Sequence, residues 1–114
     1  MKDCLEAAKA LGISPKQATI CGGGARMAQW RQLCADILEI PVVQPVVEEG
    51  PAYGAAMLSM VACGAFDSVK EAADKLVRFR DPIPPNSELS GYYSDKYQRW
   101  RRLYPTLKPL FHHA

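Results

Sequence analysis

The sequence predicts an α/β fold whose core is a parallel pair of strands joined by a helix, with several further helices around it. Three observations support this prediction. A short apolar run, Ala18 to Cys21, leads into three glycines, an amphipathic segment from about Arg26 to Glu39 follows, and pairs of valines come after Pro41. A strand, a helix and a second strand in this order make parallel partners, because the helix carries the chain back to the starting edge. At 114 residues the chain has the size of one domain.

The composition indicates a soluble globular protein. Apolar residues make up 48% of the chain and charged residues 23%, which is ordinary for that class. The net charge of +2 is too small to indicate a nucleic-acid partner. No apolar run approaches the roughly 20 residues that cross a bilayer. The N-terminus has no signal-peptide character, so we expect a cytoplasmic location and no membrane partner.

The cysteines are spread irregularly along the chain and include no CxxC pair. They are Cys4, Cys21, Cys34 and Cys63. Each has apolar neighbours in the sequence. This pattern favours buried thiols in a reducing compartment over disulfides or a zinc site.

The first predicted helix runs from Met1 to Leu11, with Cys4, Ala8 and Leu11 on one apolar face. It begins at the first residue without a cap or a lead-in, which predicts that the chain is part of a longer protein. The strand from Ala18 to Cys21 follows, and it is apolar enough to be buried on both faces.

The second predicted helix, from about Arg26 to Glu39, has the spacing of a core-facing stripe. The stripe consists of Trp30, Leu33, Cys34, Ile37 and Leu38. The side expected to face solvent consists of Arg31, Gln32, Asp36 and Glu39. The second strand is expected from the valines at 42–43 and 46–47. Pro45 has no amide hydrogen, so this strand should lie at a sheet edge or be broken there.

The third predicted helix opens near Glu48, with Pro51 at its first position. Its residues are apolar on nearly every side, which predicts a helix buried all round. Gly54 in its interior costs about 1 kcal/mol relative to alanine. A close backbone contact at Gly54 is the expected compensation.

The last part of the chain predicts two further helices separated by an extended linker. Ser68 and Glu71 have the spacing of a capping box at the start of the fourth helix. The linker is expected over 81–89, and its proline-rich part, 81–86, is extended and cannot be helical. The last helix starts near Ser90, and Pro105 should kink or end it. Its packing stripe is Tyr93, Tyr97, Trp100, Tyr104 and Leu107.

The candidate site is the corner Gly22-Gly23-Gly24 between the first strand and the second helix. Glycines let a ligand approach the backbone, and the amides that begin a helix favour an anion such as a nucleotide. A tight turn without a ligand explains the same glycines equally well. The P-loop pattern is absent, and the dinucleotide pattern GxGxxG fails at Met27.

No catalytic or metal-binding group stands out in the sequence. No aspartate has the context of a general base, and no serine, histidine and acid motif is present. His112 and His113 are adjacent, which makes a poor metal pair on a helix. The last helix carries a basic cluster. It consists of Lys96, Arg99, Arg101, Arg102 and Lys108. A solvated helix face is the simpler interpretation of this cluster, and a nucleic-acid-binding module is the alternative.

Several motifs in order resemble the C-terminal domain of the FGGY family of sugar kinases, and among its members the xylulose kinases most. They are Gly22-Gly23-Gly24-Ala25-Arg26, Trp30-Arg31-Gln32, Ala35-Asp36-Ile37, Pro41-Val42, the run from Glu49 to Ala56, and the tail from Tyr97 to Pro105. The resemblance covers about Asp3 to Phe111. Its specificity comes from the order of the motifs, since a triple glycine alone is common.

The resemblance implies the actin-like ATPase fold, in which two RNase H-like domains close over ATP and a sugar. Residues 1–114 are then expected to be the C-terminal fragment of the nucleotide-binding domain, a partial RNase H-like domain. The run from Ile20 to Met27 is similar to the adenosine motif. This similarity implies Gly22, Gly23 and Gly24 near the phosphates and ribose, and Ala25, Arg26 and Met27 near the adenine. The third helix is expected where the two domains meet.

One residue departs from the family pattern. Met27 stands where xylulose kinases usually have a serine. A thioether is a weak hydrogen-bond acceptor and no donor. This departure weakens the expectation of polar contacts from that position to adenine.

The resemblance also implies a reaction for the parent enzyme. Phosphate passes from ATP, bound with Mg²⁺, to D-xylulose and gives D-xylulose 5-phosphate. The catalytic aspartate, the phosphate motif and most sugar contacts belong to the family's N-terminal part, so we expect the 114-residue chain to be inactive alone. Another pentulose, hexulose or polyol is an alternative substrate. A different alternative is a structural module without a ligand, forming a homodimer through an exposed strand edge or apolar face.

Overall fold

The computed structural model describes residues 1–112, which form an α/β chain dominated by helices. The α-helices are α1 (Lys2–Ala10), α2 (Ala28–Leu38), α3 (Gly50–Ala62), α4 (Val69–Leu76), α5 (Ser90–Arg101) and α6 (Leu103–Leu107). The strands are β1 (Ala18–Thr19) and β2 (Val42–Val43). Short 3-10 turns occupy Gly23–Arg26, Ser87–Leu89 and Lys108–His112. The predicted α/β class is confirmed.

The two strands pair in parallel, as predicted, with Ala18 opposite Val42 and Thr19 opposite Val43. Helix α2 makes the crossover between them. The other edge of β2 is also occupied, because the backbone groups of Val42 and Ile83 exchange hydrogen bonds of 3.0 and 2.8 Å in an antiparallel bridge. In the two-stranded sheet β2 stands at an edge, as predicted, and it ends at Val43, before Pro45; the isolated bridge to Ile83 covers that edge only at Val42.

The antiparallel pairing tolerates Pro45, because Pro45 stands at a position where no backbone hydrogen bond is made. Arg80 N donates to Gln44 O at 2.8 Å and Val46 N donates to Arg78 O at 2.9 Å, so the residues flanking Pro45 make the hydrogen bonds. Pro45 itself is bridged to Phe79 without needing an amide hydrogen. Between these hydrogen bonds and those of Val42, the segment that contains β2 has two residue steps, 42 to 44, whereas the segment opposite has three, 83 to 80. The additional residue forms a bulge at 81–82.

The predicted extended segment 81–89 is held against α2 by a buried carboxylate. Asp36 is only 3% exposed, and its Oδ1 accepts hydrogen bonds from the backbone N–H of Asn86 at 2.7 Å and from Gln32 Nε2 at 2.8 Å. The assignment of Asp36 to the solvent side of α2 is therefore wrong. The segment ends in the 3-10 turn Ser87–Leu89.

The core is small and lies between α2 and the sheet. Cys34, Ala35 and Val42 are buried at its centre. Partly buried side chains pack against them. These are Ala18 and Ile20, in and just after β1, and Ile83 of the extended segment 81–89. The predicted burial of β1 on both faces is wrong, because Ala18 is half-buried and Thr19 is exposed.

The chain is extended for its size. Its accessible surface is 8362 Å², whereas a compact protein of this mass exposes about 6,200 Å². The radius of gyration is 18.5 Å, against about 13 Å for a compact domain of this length. A single small core therefore leaves much apolar surface in solvent.

Helix α3 shows this exposure most clearly. It was predicted to be buried all round, but none of its residues is buried, and Leu58 is 58% exposed. Its neighbour in the described part of the chain is α4, where the Tyr53 hydroxyl donates to Leu76 O at 2.9 Å. A Cβ at Gly54 would meet nothing within 4 Å, so the predicted close contact is also wrong among residues 1–112.

The helix signals at α3 and α4 are confirmed locally. Pro51 occupies the first turn of α3. Ser68 caps α4 by accepting a hydrogen bond from Glu71 N at 3.1 Å, and the Glu71 carboxylate accepts from Asp67 N at 2.9 Å. In a standard capping box the glutamate carboxylate accepts from the backbone N–H of the cap residue. Here it accepts from Asp67, the residue before the cap.

Helices α5 and α6 are separated at Arg102, three residues before Pro105. This interruption agrees with the predicted effect of proline, whose ring excludes the carbonyl four residues earlier. The aromatic stripe is only partly packed, since Tyr93 and Tyr97 are half-buried while Trp100 is 56% exposed.

Two further predictions concern thiols and the chain end. Cys4, Cys21 and Cys63 are exposed and only Cys34 is buried, so the expectation of four buried thiols is wrong. Burial raises the pKa of the Cys34 thiol. His113 lies outside the described residues. No helix within residues 1–112 has the length and hydropathy needed to cross a membrane.

Candidate functional site

The glycine corner lies beyond the carboxyl end of β1, the edge at which parallel α/β sheets bind ligands. Its backbone differs from the prediction in one respect. Residues Gly23–Arg26 form a 3-10 turn, Met27 is extended, and α2 begins only at Ala28. The predicted direct passage from the glycines into a helix starting at Arg26 is therefore wrong, and the corner's amides belong to the turn.

The three glycines differ in what the protein's own structure requires of them. Gly22 has a φ of +85°, a conformation that favours glycine. At Gly24 a Cβ would lie 3.1 Å from Trp30 Nε1 and 3.2 Å from Trp30 Cδ1, closer than ordinary packing allows. Gly23 has neither constraint, since its φ is not positive and a Cβ there would meet nothing within 4 Å.

Trp30 was predicted to face the core, and the structure corrects this. The side chain is 44% exposed and its indole lies against Gly24. The buried positions of α2 are instead Cys34, Ala35, Asp36 and Leu38. Trp30 is therefore part of the wall of the glycine turn, a role that its helical spacing did not indicate.

Ala25 and Arg26 are held by side chains from outside the turn. Ala25 is 1% exposed, and its carbonyl oxygen accepts a hydrogen bond from Arg31 Nη1. Arg26 Nε donates to Glu48 Oε2 at 2.8 Å. The other carboxylate oxygen of Glu48 accepts from Gln44 Nε2 at 2.9 Å. The contacts of Glu48 and Gln44 were not predicted from the sequence, because no local motif connects these residues with a turn some 20 residues earlier.

These contacts border a cavity of about 250 Å³ beside the turn. It is lined by Arg26, Arg31, Gln44, Glu48 and Arg80. The lining therefore contains three arginines and a single carboxylate. The local excess of positive charge favours an anionic ligand.

Met27, the last residue of the predicted site, is 60% exposed and extended. The structure thus brings Gly22, Gly23, Gly24, Arg26 and Met27 to the surface of one corner and buries Ala25 beneath them. Within residues 1–112, no group of three histidine, cysteine, aspartate or glutamate side chains is placed to hold a metal ion.

The fold and the corner together define a class of protein. The sequence profile described as the FGGY family of carbohydrate kinases, C-terminal domain, matches residues 1–63. The chain therefore belongs to the FGGY family of carbohydrate kinases.

Two relatives with similar sequences are autoinducer-2 kinases. An autoinducer-2 kinase of Escherichia coli K12 is 34% identical over 102 residues, covering 90% of this chain. An autoinducer-2 kinase of Photorhabdus laumondii is 31% identical over the same length. This chain spans only 19% of the length of either relative.

Solved structures support the fold. The xylulose kinase of Rhodospirillum rubrum superposes with a TM-score of 0.79 at 28% identity, covering 98% of this chain and 23% of that one. The gluconate kinase of Lactobacillus acidophilus gives a TM-score of 0.78 at 20% identity, covering 89% of this chain and 21% of that one. The fold is thus that of the sugar kinases, as the resemblance implied.

Proposed function

We propose that this chain is the nucleotide-binding part of an ATP-dependent sugar kinase, working in the cytoplasm. The observation that supports the proposal most directly is that neither the backbone conformation nor the packing of this chain requires a glycine at position 23. The backbone geometry of Gly22 and the packing of Trp30 on Gly24 explain two glycines of the corner. Gly23 is explained by neither, and a ligand approaching its bare backbone gives it a purpose.

In the proposed site the backbone of Gly22, Gly23 and Gly24 approaches the ribose and phosphates of ATP. Ala25, Arg26 and Met27 lie near the adenine. Phosphoryl transfer depends on positioning and on donors that offset the developing phosphate charge, and the arginines beside the turn supply positive charge there. Mg²⁺ bound with ATP neutralises phosphate charge. Phosphate oxygens and waters supply most ligands of such a Mg²⁺ ion, and we assign no Mg²⁺ ligand to residues 1–112.

The proposed substrate is a small sugar. D-xylulose, giving D-xylulose 5-phosphate, is the choice that the xylulose kinase resemblance supports. The autoinducer-2 kinases and the gluconate kinase among the relatives support the alternative of another pentulose, hexulose or polyol. We further propose that the catalytic aspartate and the sugar contacts belong to another part of the parent enzyme. The 114-residue chain is then expected to bind ADP without phosphorylating D-xylulose.

Titration calorimetry with ADP tests the nucleotide site. The wild-type chain should release or take up heat on saturable ADP binding, and Gly23→Val should abolish it by filling the approach to the backbone. Gly91→Val is the matched control, because Gly91 likewise has no positive φ and no atoms near its Cβ position. Equal ADP affinity in Gly23→Val and wild type would contradict the proposal. Phosphorylation of D-xylulose by the chain alone would contradict the placement of the catalytic aspartate elsewhere.

The exposed surface supports a second candidate function, self-association. The chain exposes about 2,000 Å² more than a compact protein of its mass, whereas a standard interface covers about 800 Å² on each partner. The exposed apolar residues of α3, such as Leu58, provide a suitable face. We propose a homodimer through this face or through the outer edge of β1.

Light scattering at several concentrations tests the homodimer. Leu58→Lys should shift the mass toward that of a monomer if α3 forms the interface. Leu103→Lys is the control, because Leu103 on α6 has a similar exposure of 55%. A monodisperse monomer at every concentration would rule out self-association.

A further inference from the structure

We propose that Glu48 is a positioning residue of the nucleotide site, which holds Arg26 and the glycine turn in the geometry that receives the ligand. The inference rests on the proposed nucleotide function. It assigns a role to a residue that belongs to none of the motifs singled out from the sequence.

The Glu48 carboxylate connects the turn to the sheet. One oxygen accepts from Arg26 Nε at 2.8 Å and the other from Gln44 Nε2 at 2.9 Å. Gln44 is only 5% exposed, and its backbone oxygen is itself bonded to Arg80 N at 2.8 Å. Glu48 is thus anchored to a buried residue next to β2, and it passes that anchorage to Arg26.

Stability alone does not explain this contact. The Arg26 side chain is 70% exposed, and ion pairs in water contribute little to folding because solvent screens them. Ordering a long arginine side chain before a ligand arrives has a larger effect, since the entropy of ordering is then not lost on binding. Glu48 occupies the Nε donor of Arg26 and leaves its two terminal amino groups for the ligand.

A second side chain fixes the adjacent residue of the turn. Arg31 donates to the carbonyl oxygen of buried Ala25. Consecutive residues of the turn, 25 and 26, are therefore held from two different elements, α2 and the loop before α3. Held in this way, the turn keeps the backbone of Gly23 in one position relative to Arg26.

The variant Glu48→Gln separates positioning from folding. The glutamine can still hydrogen-bond with Gln44 in either amide orientation, so the buried amide keeps its partner. The glutamine is neutral, so the charge-assisted bond to the Arg26 guanidinium is lost and the arginine is held less firmly. We expect the ADP dissociation constant to rise about five-fold, the equivalent of one hydrogen bond of ordinary strength, while the thermal unfolding midpoint hardly moves. Glu49→Gln is the matched control, since Glu49 is an adjacent, exposed glutamate.

A double-mutant cycle tests whether Glu48 acts through Arg26. In an Arg26→Ala background, Glu48→Gln should cause no further loss of ADP affinity, because the group that it positions is gone. Additive losses would overturn the inference. Unchanged ADP affinity in Glu48→Gln would overturn it as well.

A ligand-free measurement distinguishes failure of this inference from failure of the nucleotide proposal. Amide hydrogen exchange at 22–27 should be faster in Glu48→Gln than in wild type, and Glu49→Gln should match wild type. Absence of ADP binding by the wild-type chain would overturn the proposed function and, with it, the ligand that Glu48 serves. Unchanged exchange at the turn would overturn the positioning role of Glu48 even if ADP binds.

Discussion

The indole of Trp30 lies across Gly24, so closely that a Cβ on Gly24 would stand 3.1 Å from Trp30 Nε1. This contact divides the triple glycine into residues with different purposes. Gly24 makes room for an aromatic side chain of the same protein. Gly23 faces open space, where a Cβ would meet nothing within 4 Å.

Alanine substitutions at the two glycines should therefore differ in stability. Gly23→Ala should be neutral or stabilise the chain by about 0.5 kcal/mol, because alanine restricts the unfolded state. Gly24→Ala should be less stable than Gly23→Ala by about 1 kcal/mol, because the indole must shift. Urea unfolding of both variants measures the difference. The prediction is wrong if the two are equally stable, and Trp30→Ala should remove the difference if the indole is its cause.

Removal of the Asp36 carboxylate should detach the extended segment 81–89 from α2. Asp36→Ala leaves the N–H of Asn86 without its acceptor at a site where Asp36 is 3% exposed, which costs about 1–3 kcal/mol. Asp36→Asn keeps an acceptor oxygen and should cost less. Thermal unfolding gives the order, with Asp95→Ala at an exposed position as control. Equal losses of thermal stability in Asp36→Ala and Asp95→Ala would show that the Asp36 carboxylate does not hold the segment 81–89 in place.

The four cysteines should react in two classes. Cys4, Cys21 and Cys63 are exposed, whereas Cys34 is buried with a raised thiol pKa. An aromatic disulfide reagent at mildly alkaline pH should label three thiols rapidly and the fourth only as the chain opens, because the thiolate is the reactive form. Labelling in urea supplies the control, where all four should react together. A single rate for four thiols in the folded chain would contradict the buried position of Cys34.

The contact between α1 and α5 should depend on pH in the alkaline range. The Tyr97 hydroxyl donates to the Asp3 carboxylate, and this hydrogen bond raises the pKa of Tyr97. A pKa raised by folding means that the bond stabilises the folded chain at neutral pH and that its contribution disappears as the pH rises through the folded pKa. Carbon-13 spectra of labelled tyrosine should show the Tyr97 pKa falling toward its usual value in Asp3→Asn. An unchanged titration of Tyr97 in that variant would contradict the bond.

The sequence by itself determined the order of the helices and the parallel pairing of the two strands. Pro51 in the first turn of α3 and Ser68 as the cap of α4 act on backbone groups only a few residues away, so their signals are local. The crossover through α2 also follows from the order of the elements. The ordered family motifs likewise needed no coordinates to indicate a sugar kinase.

Only the tertiary structure decided what each side chain does. Asp36 is buried because its partner Asn86 is 50 residues away, and Glu48 reaches Arg26 across 22 residues. Apolar α3 is exposed because, within residues 1–112, the chain folds α4 against it and little else. Helical periodicity states which residues share a face, but the partner of that face depends on chain segments that no local pattern contains. For this reason the triple glycine was visible in the sequence, while the different constraints on Gly22 and Gly24 became visible only in the fold.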